Sequence, residues 1–514
     1  MMNSTLIKLR EWLGKNRFVI AAFLIPLAIR SVPEILSWPY PLGLDTLQIV
    51  PIIQSRAVFS GGLVNFFHAT NMLYLFTTSL YNLTGNVVFV LKFFGPVLLA
   101  ILCGVLFVYA RKALKWGNWK SLLVSILTAT YFVSLRDSWE FYRQTVGLIF
   151  LAGALISLAY FRSPRKYYIA CAFMVLTVLS HELVSVILFF IILVEVSRLL
   201  IKKSFKESAY LLGSAVLPAG LFLFQRVSLT TTPGISVPAS YVASGPSFAL
   251  ALYMGGMLVY CYFLILPLVI AGLFGFKASP MHYWALLCVS LVILLMINPN
   301  LPVYFWNRWV YLLVYPLLFF ATQGIDNLWR FWSTHKNTIK RLAPKIFVVA
   351  YLILLLSLSG FYLVMPPEKQ ISFFSTDNPY LAFIPSSMLQ NTISITDNPG
   401  LVNCFNWINS NASVNSVLVI HYALQALAGI YVKNTTMVPV SQGPSMWNNI
   451  QNENALAAGM VDAAQTAIRD GNSSAYTVWW VSGKGWYDIP SLPAQFIEIF
   501  HSGNMAVYSF NFTS

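Results

Sequence analysis

Long apolar runs recur from Phe18 to Val364, and short clusters of basic residues punctuate them at alternate breaks. Lys8, Arg10, Lys15 and Arg17 precede the first run. Arg111, Lys112 and Lys115 follow a later one, as do Arg162, Arg165 and Lys166, and then Lys202, Lys203 and Lys206. Arg330, Lys336, Lys340, Arg341 and Lys345 form the last cluster. Such a pattern directs a chain across a lipid bilayer, where helices satisfy their own backbone polar groups and Lys and Arg stay on the cytoplasmic side. Only 10% of residues are charged, against about a quarter in soluble proteins, and the mean hydropathy of +0.69 agrees. The net charge of +15 would suit a nucleic acid. Its placement in alternate loops sets topology instead, so no nucleic-acid partner is expected.

Apolar length and basic flanks place about eleven transmembrane helices, at 18–36, 86–109, 120–135, 144–161, 167–181, 183–201, 208–225, 249–275, 282–297, 307–327 and 346–364. With the basic N-terminus cytoplasmic, an odd number of crossings carries the remaining chain outside. The expected architecture is an α-helical polytopic bundle over 1–365 and a small extracytoplasmic α/β domain over 366–514, multi-pass in the plasma membrane. The first run resembles a signal peptide but lacks a small-x-small cleavage site, since Arg30 and Pro33 follow directly. It reads as a retained helix.

The apolar run from Tyr167 to Leu200 is basic at both ends. As one helix it would be roughly 50 Å long, against a hydrocarbon core of about 30 Å. A hairpin of two short helices is expected, with His181-Glu182 at a recessed tip. The outer segment 37–85 holds the turn-rich Pro39-Tyr40-Pro41-Leu42-Gly43 and amphipathic stretches suited to the interface, of which 65–81 could also be a further span. Residues 227–248, rich in Thr, Ser, Pro and Gly, read as an outer loop or lid.

In the tail, strands are expected at Ser416–His421, Thr436–Val440, Ala475–Val481, Phe496–Phe500 and Met505–Phe510. Helices are expected at Cys404–Asn409, His421–Val432 and Glu453–Arg469, which together suggest an α/β layered domain. Glycosylation sequons at Asn411, Asn434, Asn472 and Asn511 fit an exterior location. Of the five cysteines, Cys103, Cys171, Cys261 and Cys288 lie in apolar spans and Cys404 stands alone, so neither a disulfide framework nor metal spacing is present.

Charges are scarce, so those at the outer ends of spans are informative. Asp45, in Gly43-Leu44-Asp45-Thr46, suits a general base or cation ligand, or else caps a helix beginning at Leu47. Asp137 and Glu140 share a helical face, either as a functional pair or as a capping box at the start of the fourth helix. Arg136 and Arg143 could simply neutralise them. His181 and Glu182 could bind a metal, relay a proton or hold a polar substrate, or be satisfied by loop carbonyls. Arg308, in Trp306-Asn307-Arg308-Trp309, suits a phosphate group or an aromatic-belt anchor, and Arg56 is a weaker candidate of the same type. No P-loop, H-E-x-x-H, G-x-S-x-G or nucleotide-binding glycine fingerprint occurs, so no nucleotide cofactor is expected.

Five features together resemble the GT-C superfamily of membrane glycosyltransferases: Pro41-Leu42-Gly43-Leu44-Asp45-Thr46, Asp137-Ser138-Trp139-Glu140-Phe141-Tyr142-Arg143-Gln144, Leu179-Ser180-His181-Glu182, Asn307-Arg308-Trp309 and the exterior α/β tail. The resemblance implies transfer of a hexose or pentose from a polyprenyl-phosphate carrier to a glycan, lipid or protein acceptor on the outer face. By the same resemblance Asp45 would be the catalytic carboxylate. Asp137 and Glu140 would be a second acidic pair, which assists metal binding in some members, and Arg308 would contact the lipid phosphate. A divalent cation, Mg2+ or Mn2+, if one is bound, would be held by Asp45, Asp137 and Glu140, although some members of the superfamily need none and D-x-x-E departs from D-x-D. The W-W-D-Y-G motif of the oligosaccharyltransferase branch is replaced here by Trp479-Trp480-Val481-Ser482-Gly483 on a late strand, so that branch is not expected.

The donor carries its own leaving group, which explains how such an enzyme dispenses with ATP. The alternative is a secondary transporter or lipid-linked-glycan flippase, but no internal repeat is visible and the candidate charges cluster outside.

Overall fold

The structure, a computed structural model, describes residues 2–60, 62–228, 247–298, 306–333, 338–365, 391–433, 435–440, 453–482 and 492–511. Most of the expected lid at 227–248, the sequon at Asn434, Gly483 and the tail residues before 391 lie outside them. Two compact units emerge: Met1–Val32 with Arg56–Val364, and Pro33–Ser55 with Met365–Ser514.

In chain order the helices up to the tail are α1 (Met2–Leu36), α2 (Asp45–Gln48), α3 (Val50–Ser55), α4 (Ala57–Ser60), α5 (Gly62–His68), α6 (Met72–Thr84), α7 (Val87–Lys112), α8 (Asn118–Thr130), α9 (Phe132–Glu140) and α10 (Tyr142–Tyr160). There follow α11 (Arg165–Val178), α12 (Glu182–Ile201), α13 (Phe205–Ser228), α14 (Ser247–Tyr262), α15 (Leu266–Leu273), α16 (Pro280–Ile297), α17 (Trp306–Leu312), α18 (Val314–Ser333) and α19 (Thr338–Val364).

Eight helices among the described residues are long and apolar enough to cross a membrane, or nine if Met254–Tyr262 and Leu266–Leu273, bent by 82°, form one span. About eleven were expected. The difference lies partly in α8 and α11, which have 13 and 14 residues. At 1.5 Å per residue each is only about 20 Å long, shorter than the apolar core. Helix α8 stops where Tyr131 turns extended, at φ −68° and ψ 130°. The stretch 65–81 is divided between α5 and α6 and is not a single span.

Between Tyr167 and Leu200 the chain does form a hairpin, α11 and α12, broken at Leu179–His181. The amide of Met72 donates to the Leu179 carbonyl at 3.1 Å, satisfying a group that the break would otherwise strand. Helices α15 and α18 cross at close range. A Cβ on Gly272 would lie 1.8 Å from the Phe320 carbonyl oxygen, and one on Gly324 would lie 1.9 Å from that of Leu268. Only glycine permits this crossing, the small-residue contact that membrane helices use in place of hydrophobic drive.

The second unit continues with α20 (Asn398–Asn411), β1 (Ser416–His421), α21 (Tyr422–Tyr431), β2 (Thr436–Val440), α22 (Glu453–Arg469), β3 (Ser474–Trp480), β4 (Phe496–Ser502) and β5 (Met505–Phe510). The strands form one sheet in the order β2-β1-β3-β5-β4. Strand β1 runs parallel to β2 and β3, while β5 lies antiparallel between β3 and β4. Parallel neighbours require crossovers, which α21 and α22 provide. Every residue of β1 is buried, as a central parallel strand demands. The five strands and three helices described from Asn398 onward fall where the sequence pattern placed them, with ends shifted by up to six residues.

The segment Pro33–Ser55 belongs to this same unit. Leu42, Leu47, Val50 and Ile53 are buried, and α2 and α3 pack against α21.

Candidate functional site

Helix α9 carries Arg136, Asp137 and Glu140, and all nine of its residues are buried. Charges removed from water require partners. Asp137 Oδ2 accepts from the Tyr315 hydroxyl of α18 at 3.1 Å and from Gln144 Nε2 of α10 at 3.2 Å. Burial pushes the Asp137 carboxyl up to about 7, against the pull of the Tyr315 hydroxyl and the charges of Arg136 and Arg308. Arg136 Nη1 stands 3.9 Å from Glu140 Oε1. Next to Asp137, Ser138 is held from α1, where the fully buried Arg30 donates through Nε to Ser138 Oγ at 3.1 Å.

Asp137 and Glu140 form the last turn of α9, and Phe141 is the N-cap of α10. The capping-box alternative therefore does not hold. Arg143 is also placed differently from expectation. Its Nη2 pairs with Glu182 Oε2 at 2.9 Å and donates to Thr70 Oγ1.

His181 is the extended N-cap residue of α12, with φ −161° and ψ 130°. Its ring is buried, and among the described residues Nδ1 has no hydrogen-bond partner. Burial drives the imidazole down to about 3, so it is neutral. The charges of Arg143, Arg308 and Arg226 all bear on this tip. Arg308, on α17, lies with its guanidinium 4.3 Å from the centroid of the Phe141 ring. Phe141 is approached from the other arginine as well, with Arg136 Cζ at 5.2 Å.

The first unit therefore brings together Asp137, Glu140, His181, Glu182 and Arg308, five of the seven candidates. Arg30, Gln144 and Tyr315 join them without having been singled out. A buried arginine between Ile29 and Ser31, inside a first span, was the available signal for Arg30. Arg56 lies at the break between α3 and α4, exposed, with φ 54°.

Asp45 is in the second unit. It occupies the first turn of α2, whose N-cap is Leu44, so it does not cap a helix starting at Leu47. The residues before it are fixed by the positive φ of Gly43, 90°, and by a bond from Thr46 Oγ1 to the Leu42 carbonyl at 2.9 Å.

Among the described residues no group of three or more His, Cys, Asp or Glu side chains is arranged to hold a metal ion. Asp137 Oδ2 and Glu140 Oε1 face protein donors and a guanidinium, while Asp137 Oδ1 is buried with no hydrogen-bond partner among the described residues.

The helical bundle with its buried acidic turn, followed by a small α/β domain, is a fold shared with solved structures. Two solved structures carry the comparison. The arabinofuranosyltransferase AftD from Mycobacteria matches with a TM-score of 0.53 and 12% identity over 96% of this chain and 40% of that one. The apo oligosaccharyltransferase of Archaeoglobus fulgidus matches with a TM-score of 0.50 and 14% identity over 92% of this chain and 70% of that one. The chain thus spans less than half the length of AftD. The fold is common to an arabinofuranosyltransferase and an oligosaccharyltransferase, so it does not select a branch. No protein-family model matches the sequence, and no curated protein matches it.

Proposed function

We propose that this chain transfers a hexose or pentose from a polyprenyl-phosphate carrier to a glycan, lipid or protein acceptor on the outer face of the plasma membrane. The observation that carries this reading is the buried cluster of Asp137, Tyr315 and Gln144 beside the arginine-surrounded His181–Glu182 tip, within a GT-C-like fold. Guanidinium groups in a site of low dielectric suit a phosphate oxygen, and Arg308 is assigned to it. The acceptor hydroxyl, or amide, attacks the anomeric carbon while the carbon–oxygen bond to phosphate breaks. The phosphate departs with the electron pair, and the acceptor proton passes to a carboxylate, assigned to Asp45. Asp137 and Glu140 hold the surrounding charges in place.

No step of this chemistry is routed through a divalent cation; the buried Asp137 Oδ1, which has no hydrogen-bond partner among the described residues, is the atom that would face one. Titration of chelated vesicles with Mg2+ and Mn2+ tests for one. The N-terminus is assigned to the cytoplasm by the basic clusters, which labelling of single introduced cysteines from either side checks.

The reaction is tested in sealed vesicles with radiolabelled polyprenyl-phosphate pentoses and hexoses. Wild type should transfer label, while Asp45→Asn and Asp137→Asn should each lose at least tenfold. Equal transfer by both variants would remove these carboxylates from the chemistry, and no transfer from any donor would favour a transporter.

A further inference from the structure

We infer that the tail domain is the positioning element of the Asp45 carboxylate; this rests on the proposed role of Asp45 as base. Asp45 lies close in sequence to the bundle helices, yet the segment that bears it, Pro33–Ser55, is part of the tail unit. Two hydrogen bonds to tail residues bracket it. On one side the Gly43 amide donates to Thr392 Oγ1 at 3.4 Å. On the other, Gln48 Nε2 donates to the Tyr422 hydroxyl at 2.5 Å.

Between these anchors the chain has little freedom. Gly43 holds a φ of 90°, which a side chain would strain. The Thr46 hydroxyl closes the turn onto Leu42. Leu47, Val50 and Ile53 are buried, at 3%, 1% and 0% exposure, on the segment that packs against α21. Tyr422 is the first residue of α21, and His421, which caps that helix, ends the fully buried strand β1. The five-stranded sheet is therefore linked to the Asp45 turn through one helix. A base displaced by about 1 Å loses on the order of a hundredfold in rate, so a carboxylate on a four-residue helix needs such a frame. Thr392 and Tyr422 are positioning residues, and the tail domain is an integral part of the transferase and not an accessory module.

The test uses the full chain in vesicles, with the same radiolabelled polyprenyl-phosphate sugars. Thr392→Val with Tyr422→Phe removes both bonds and retains side-chain bulk. The expected result is a fall in kcat of tenfold or more, with donor KM within twofold of wild type. Hydrogen–deuterium exchange over 41–48 should quicken while the β1 and β3 peptides stay protected. Thr392→Ser, which keeps the hydroxyl, should restore the kcat lost in Thr392→Val. Unchanged exchange over 41–48, or unchanged kcat, would overturn the positioning role while leaving the proposed function intact if Asp45→Asn is inactive. Faster exchange throughout the sheet would show a structural role only and would also overturn it. Full activity in Asp45→Asn would remove the catalytic assignment and this inference together.

Discussion

The Tyr315 hydroxyl donates to Asp137 Oδ2 at 3.1 Å across 178 positions of sequence. That bond joins α18 to the buried acidic turn of α9, and it supplies one of the two donors that hold this carboxylate.

Tyr315→Phe deletes the donor and leaves Asp137 Oδ2 with Gln144 alone. An under-satisfied buried acceptor costs about 1–3 kcal/mol. Thermal unfolding in detergent should shift downward accordingly, and transfer should fall about tenfold. In the double variant with Asp137→Asn the losses should not add, because both act on one contact.

Arg143 and Glu182 should couple in a double-mutant cycle. Their side chains are 34% and 19% exposed, so solvent screening reduces the pair below a fully buried one. Arg143→Met and Glu182→Gln together should be less damaging than the sum of the two singly, with a coupling of about 1 kcal/mol in unfolding experiments. Strict additivity would show that the contact contributes nothing.

At the α15–α18 crossing, Gly272→Ala and Gly324→Ala should each destabilise by about 3 kcal/mol or more, because a methyl group meets backbone and not a flexible side chain. The yield of folded protein in detergent reads this directly. Gly104→Ala is the control, since a Cβ there has nothing within 4 Å.

His421 gives the tail domain a pH dependence. Its Nδ1 accepts from the Ala423 amide at 3.2 Å, which requires an unprotonated ring nitrogen. Burial lowers the imidazole to about 4, below an unfolded value of about 6.5. The folded form therefore resists the proton. Its stabilisation is complete above pH of about 6.5 and is lost as pH falls towards about 4, by up to about 3 kcal/mol. Urea unfolding of the full chain, followed by proteolysis of the tail, should show the decline in wild type. His421→Asn, which caps without titrating, should flatten it.

The hairpin at Leu179–His181 was legible because its signal is local: apolar length exceeded the bilayer thickness and both ends were basic. The tail elements were legible for the same reason, since period and turn residues lie within each segment. Arg143 was misplaced because helical spacing reveals only neighbours on one helix. Nearness in sequence offered it as a counter-ion to Asp137 and Glu140, whereas packing between helices set it against Glu182 of the α11–α12 hairpin.

Tyr315 carried no comparable signal. A tyrosine in an apolar span reads as core, and its hydroxyl acquires meaning only when α18 lies against α9. Asp45 is the clearest case of both limits. Its residue type, following a first span and a turn, marked it as a candidate without any structure. That its turn is framed by Thr392 and Tyr422 depends on contacts more than 340 positions away in sequence. Periodicity and charge are properties of neighbouring residues and fix which segments are helix, strand or turn. Which of those segments share a core is settled by packing between distant ones, and no local pattern encodes it.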